Sequence, residues 1–87
     1  MLDQKKRTRV AQRLNRIAGQ VAGIKKMVEG ERYCVDILTQ IAAARAALSG
    51  VGSFVLEDHM LTCVRSAIRK GSGERHIREL MDVFEKF

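Results

Sequence analysis

The chain has 87 residues, a net charge of +6, two cysteines and no proline. So short a chain buries a modest core alone, which points to assembly. Two cysteines exclude the disulfide scaffold of a small secreted domain. No apolar run approaches the ~20 residues of a membrane span, and no apolar stretch follows the charged start Met1-Leu2-Asp3-Gln4-Lys5-Lys6-Arg7. The expectation is a cytoplasmic, reduced protein, a single domain over residues 1–87 that touches no membrane, whose positive charge suits nucleic acid.

Three helices and no strands are predicted. Val10, Leu14, Ile17, Val21, Ile24 and Val28 recur in steps of four and three, so a first helix runs from about Gln4 to Glu29, with Gly30 as its C-cap. A second starts near Arg32 and runs to about Arg69. Its weak point is Gly50 and Gly52, each costing ~1 kcal/mol relative to alanine inside a helix. A turn there would make a hairpin whose arms, from Cys34 and from Cys63, mismatch by roughly 9 Å, so the unbroken helix is favoured. Gly71-Ser72-Gly73 ends it, and Ile77, Leu80, Met81, Phe84 and Phe87 mark a short amphipathic third helix.

Within that long second helix, His59 and Cys63 are four apart, one turn above each other. Cys34 lies 25 residues before His59, within roughly 20° of the same stripe around a continuous helix but about 37 Å away along it. A second chain running antiparallel, with its two-fold axis near Ala47–Leu48, brings each Cys34 to the partner's His59 and Cys63 and makes two identical sites per dimer. The small residues Ala42-Ala43-Ala44-Arg45-Ala46-Ala47 let the backbones approach, although Arg45 falls on the ligand stripe. Each cysteine alone is most simply a packed residue; the in-phase trio is what argues for a metal. Two thiolates and one imidazole suit Cu(I), while Zn(II) wants a fourth ligand that the stripe lacks. The spare histidine, His76, lies in the third helix beyond the glycine-rich break.

The first helix carries Lys5, Lys6, Arg7, Arg9, Arg13, Arg16, Lys25 and Lys26, with no acidic residue from Gln4 to Val28. A solvated helix usually interleaves both signs, so this segregation points to a phosphate backbone. The helices are too long for a helix-turn-helix, and four aromatic residues make no stacking platform for single strands. Double-stranded DNA, held through phosphates and shape, is the expected partner.

The segments Arg13-Leu14-Asn15-Arg16-Ile17-Ala18-Gly19-Gln20, Tyr33-Cys34-Val35-Asp36-Ile37-Leu38-Thr39-Gln40-Ile41 and His59-Met60-Leu61-Thr62-Cys63 resemble the CsoR family of copper-sensing repressors, and the similarity covers nearly the whole chain. The resemblance implies an all-α protomer, an antiparallel dimer forming a four-helix bundle, and a dimer of dimers, hence a homotetramer. It implies that the metal-free protein holds operator DNA and that Cu(I) releases it, derepressing copper-resistance genes. Cys34 would be the ligand from one protomer, and His59 and Cys63 those from the other. Tyr33 and Glu79 fall where such sensors place groups supporting the ligands. Arg13 and Arg16 match DNA-contacting positions, to which Lys5, Lys6 and Arg9 add charge, while a basic position that some members use in helix two is Gly50 here. The absence of an N-terminal histidine, and the presence of Cys63 and His59, separate the chain from the family's nickel or cobalt, formaldehyde and persulfide sensors respectively.

The runner-up is a thiol sensor in which Cys34 and Cys63 of different protomers form a disulfide or polysulfide bridge. A structural zinc dimer or a DNA-packaging protein is a further class. An enzyme is not expected, because no orienting group or oxyanion donors accompany the Cys–His pair.

Overall fold

The computed structural model describes residues 2–86, and among these there are helices and no strands. Phe87, placed above on the third helix, lies outside the described residues, as does Met1. Helix α1 spans Gln4–Glu29, α2 spans Cys34–Arg69, and α3 spans Gly73–Phe84. The chain divides into two compact units, Asp3–Phe54 and a second beginning at Val55, with the boundary inside α2.

Local chemistry sets each end. The Asp3 carboxylate accepts the Lys6 backbone N–H at 2.8 Å and caps α1. At the other end the Glu31 N–H bonds to Val28 O and the Arg32 N–H to Met27 O, closing the last turn. The left-handed residue of this cap is Glu31 (φ 53°), whereas Gly30 keeps φ −85°. The glycine ends the helix as expected, yet its neighbour carries the strained backbone.

In the first unit α1 and α2 pack antiparallel. The Arg9 guanidinium stands 5.5 Å from the Phe54 ring centroid, and the Arg13 guanidinium passes over Gly50, 3.0 Å from where a Cβ would sit. Positions 9 and 13 thus meet 54 and 50. The predicted α1 seam resolves into two columns of period seven. Val10, Ile17 and half-buried Ile24 are the covered column, while Leu14, Val21 and Val28 remain exposed, Val28 at 57%. On α2 Ala44 and Val51 are buried, whereas Ile41 and Leu48 are bare, Leu48 at 53%.

Gly50 and Gly52 do not break α2. The irregularity comes later, at Met60–Val64, where the backbone is a π-helix and the Arg65 N–H reaches the Met60 carbonyl five residues back. A π turn carries an extra residue, so Cys63 departs from the phase that a uniform α-helix assigns it. In the second unit Val64 and Ala67 are the buried apolar residues. Gly71 (φ +86°) turns the chain, and the Ser72 N–H bonds to Ala67 O at 2.8 Å. Gly73 then seats α3 directly on Ile68: a Cβ there would lie 3.0 Å from the Ile68 Cα.

By length and composition alone helix α2 is long and apolar enough to cross a membrane, a test that the core helix of a soluble protein also passes; alanines and glycines join its aliphatic residues, and no single apolar run of the sequence approaches that length.

Candidate metal centre and nucleic-acid interface

Cys34 opens α2 and is exposed, with a free thiol. Beside it Tyr33 is 68% exposed, and its carbonyl accepts the Asp36 and Ile37 N–H groups that start the helix. Cys63 is half-buried and forms no disulfide. His59 is the last residue before the π segment and Cys63 lies inside it, so the two are held on one irregular turn. The Thr62 hydroxyl donates to Asp58 O at 2.8 Å and approaches Cys63 Sγ at 3.6 Å. That hydroxyl holds the Cys63 thiol below its ordinary value, against opposing effects of burial and the Asp58 carboxylate. A lowered thiol deprotonates more readily, which a metal ligand must do.

Among the described residues no three His, Cys, Asp or Glu side chains of one chain converge on a common point. His59 and Cys63 are brought near each other by their spacing; Cys34 belongs to the other unit. Two thiols and one imidazole nevertheless form a soft donor set that fits Cu(I).

The sequence placed His76 out of reach beyond the Gly71–Gly73 break, and the structure corrects this. The His59 and His76 rings lie 6.1 Å apart, inclined by 32°. His76 Nδ1 is buried without a hydrogen-bond partner. No periodicity signals this approach, because it depends on the angle at which α3 leaves a three-residue turn. Glu79 stands one turn further along α3 and is exposed.

On α1, Lys5, Arg9 and Arg16 are exposed, and Lys6 and Arg13 are half-buried. Lys5, Lys6 and Arg9 line an open groove with Asp3, Thr8, Gln12 and Phe54. The first turn holds no acidic residue, although a helix N-terminus favours negative charge. The Asp3 carboxylate already caps this end through the Lys6 N–H, so it is the Lys5, Lys6 and Arg9 side chains along the groove that suit an external anion. Phe54, which seats Arg9, carried no signal in the sequence beyond being aromatic.

These features agree with the relatives of the chain. A model described as "Metal-sensitive transcriptional repressor" matches residues 6–86. The chain is 54% identical over 83 residues to the copper-sensing transcriptional repressor CsoR of Bacillus subtilis (strain 168), covering 95% of this chain and 82% of that one. It is 46% identical over 61 residues to the copper-sensing transcriptional repressor RicR of Mycobacterium tuberculosis (strain ATCC 25618 / H37Rv), covering 70% of this chain and 64% of that one. The crystal structure of the copper-sensing repressor CsoR with Cu(I) from Geobacillus thermodenitrificans NG80-2 matches with a TM-score of 0.94 at 52% identity, over 100% of this chain and 91% of that one. The nickel-responsive transcriptional regulator InrS matches at 0.76 and 35% identity, over 98% and 92%. The chain belongs to the family of metal-sensitive transcriptional repressors.

Proposed function

We propose that this chain is a Cu(I)-responsive repressor that holds operator DNA when metal-free and releases it when Cu(I) binds, so that copper-resistance genes are expressed. The observation that carries the reading is the soft donor set, the Cys34 and Cys63 thiols with His59 on the same turn as Cys63, in a chain whose relatives in Bacillus subtilis and Geobacillus thermodenitrificans are copper-sensing repressors. Those names also favour metal over the thiol bridge. The chain acts by binding and carries no catalysis, its two units serve as one functional domain, and it works in the cytoplasm.

The ligands are Cys34 of one protomer with His59 and Cys63 of its partner in an antiparallel dimer, and dimers pair into a homotetramer. What supports the dimer is the bare column Ile41, Leu48 and Val55 on α2 with Leu14, Val21 and Val28 on α1. Two such helix pairs cover each other as a four-helix bundle. The same packing accounts for the apolar length of α2 without a membrane.

Each residue then has a task. Lys5, Lys6, Arg9, Arg13 and Arg16 hold phosphates, Phe54 fixes Arg9, and Gly50 leaves room for Arg13 against α2. Tyr33 and Glu79 support the ligands. Cu(I), when bound, would supply a soft d¹⁰ centre. The Cys63 thiol, which the Thr62 hydroxyl holds below its ordinary value, would ligate as the thiolate, and His59 would offer a ring nitrogen. Holding Cys34, His59 and Cys63 together would fix the π turn and the start of α2, and so bias the protomers away from the arrangement that presents two α1 faces to DNA.

The test is anisotropy of labelled operator DNA under reducing, anaerobic conditions. One equivalent of Cu(I) per protomer weakens binding by roughly 10–100-fold, the span of ordinary allosteric coupling. His59→Ala abolishes the response, whereas a thiol switch survives that change. Copper binding with DNA affinity unchanged overturns the reading.

A further inference from the structure

His76 is the side chain that the Cu(I) reading leaves without a task. Its Nδ1 is buried with no hydrogen-bond partner, a state that buried polar atoms rarely keep without a reason. Its ring centroid is 6.1 Å from that of His59, and His59, Cys63 and His76 all belong to the unit beginning at Val55. We propose that His76 is a further metal ligand of this chain, joining His59 and Cys63 to hold a borderline divalent ion, Zn(II), where α3 passes the π turn of α2.

The separation is close to what one ion requires. With Zn–N at about 2.0–2.1 Å, each ring centroid lies roughly 3.2 Å from a shared ion, so two imidazoles on a tetrahedral ion sit about 5.2 Å apart. The observed 6.1 Å is wider than this, so the two rings have to close on the ion by about 1 Å. Without metal the three donors do not converge, so capture needs side-chain rotation among staggered positions, open to half-exposed groups such as His59, Cys63 and His76.

The inference rests on reading His59 and Cys63 as ligands and adds a distinction between metals. Cu(I) is satisfied by three soft donors and leaves His76 aside. Zn(II) prefers four, including imidazole nitrogen; His59, Cys63 and His76 supply three, and the fourth position is left for Cys34 of the partner subunit. An ion that takes His76 ties α3 to the π turn by a direct bond, whereas with Cu(I) α3 meets the site only through Glu79. The two metals thus load the same turn with different consequences for the third helix.

The experiment titrates reduced wild-type protein and the His76→Asn variant with Zn(II), and separately with Cu(I), each against a chromophoric competitor. Loss of one ligand costs more than loss of a supporting group, so His76→Asn is expected to weaken Zn(II) by roughly 100-fold or more. Cu(I) affinity is expected to change less than about threefold. In the wild type, the imidazole nitrogen resonances of His76 should move on adding Zn(II) and stay in place with Cu(I), a readout that needs no variant to fold. Unchanged Zn(II) affinity in His76→Asn, equal weakening of both metals, or still His76 resonances overturns the proposal. If wild-type protein binds Cu(I) but not Zn(II), this inference alone falls. If it binds neither, the reading of His59 and Cys63 falls with it.

Discussion

Glu31 shows how much a single backbone angle decides. It holds φ 53° in the cap after α1, and the left-handed region costs a residue with a Cβ roughly 1–2 kcal/mol. Glu31→Gly removes that cost but adds chain entropy to the unfolded state. The net expectation is a gain of about 0.5–1 kcal/mol by urea denaturation at constant m-value; a loss of stability would contradict the cap geometry. Gly30 is the C-cap that the sequence indicates, while the left-handed angle falls on its neighbour. Which of two neighbours takes the strained angle depends on the pair of bonds from Glu31 and Arg32 to Val28 and Met27, and these appear only once the chain has folded. The one-turn spacing of His59 and Cys63 is visible in the sequence, whereas the approach of His76 to His59 is not, since it is set by a turn angle rather than by a period.

At the scale of elements, the helices were readable because apolar residues at steps of three and four, an Asp before α1 and a glycine-rich turn before α3 are local signals. The π turn was not readable: its extra residue leaves no compositional trace, yet it moves Cys63 off the stripe that uniform geometry gave it. Two glycines test the packing of elements. Gly73 lies against the Ile68 backbone, and a methyl there must push two helices apart. Gly73→Ala is expected to cost about 1–3 kcal/mol, as overpacking does, with a matching fall in thermal midpoint. Gly50 faces only the far end of the Arg13 side chain, which moves cheaply. Gly50→Ala should therefore stabilise α2 by about 0.5–1 kcal/mol through helix propensity, while displacing the Arg13 guanidinium and weakening DNA binding. Denaturation and anisotropy on the one variant would then move in opposite directions. Equal DNA affinity would remove Arg13 from the interface.

At the scale of the whole molecule, one chain leaves much of its apolar surface exposed. Half of each period-seven pattern is covered within the protomer and half is bare, and α3 also exposes Ile77, Met81 and Phe84. Scattered apolar exposure is ordinary, but columns of it along α1, α2 and α3 call for a partner. Leu48, beside the expected two-fold axis, is the position where one charge meets its own copy. Leu48→Glu should shift the protein toward monomer by sedimentation at micromolar concentration and should lower Cu(I) affinity with it, as the proposed two-chain site requires. A variant that stays dimeric and binds Cu(I) normally would place the interface elsewhere. The antiparallel arrangement is proposed from the distance between Cys34 and His59, which no single helix can close.

The most direct test of that arrangement mixes two crippled proteins. Cys34→Ala and Cys63→Ala are each expected to lose tight Cu(I) binding. When they are unfolded together and refolded, half of the dimers are mixed, and one of the two sites in each mixed dimer has all three ligands. The mixture should therefore recover tight Cu(I) binding at about one quarter of the wild-type stoichiometry, as a two-fold intersubunit site requires. No recovery in a mixture that contains mixed dimers, beside a wild type that binds one Cu(I) per protomer, would place all the ligands within one chain and contradict the account.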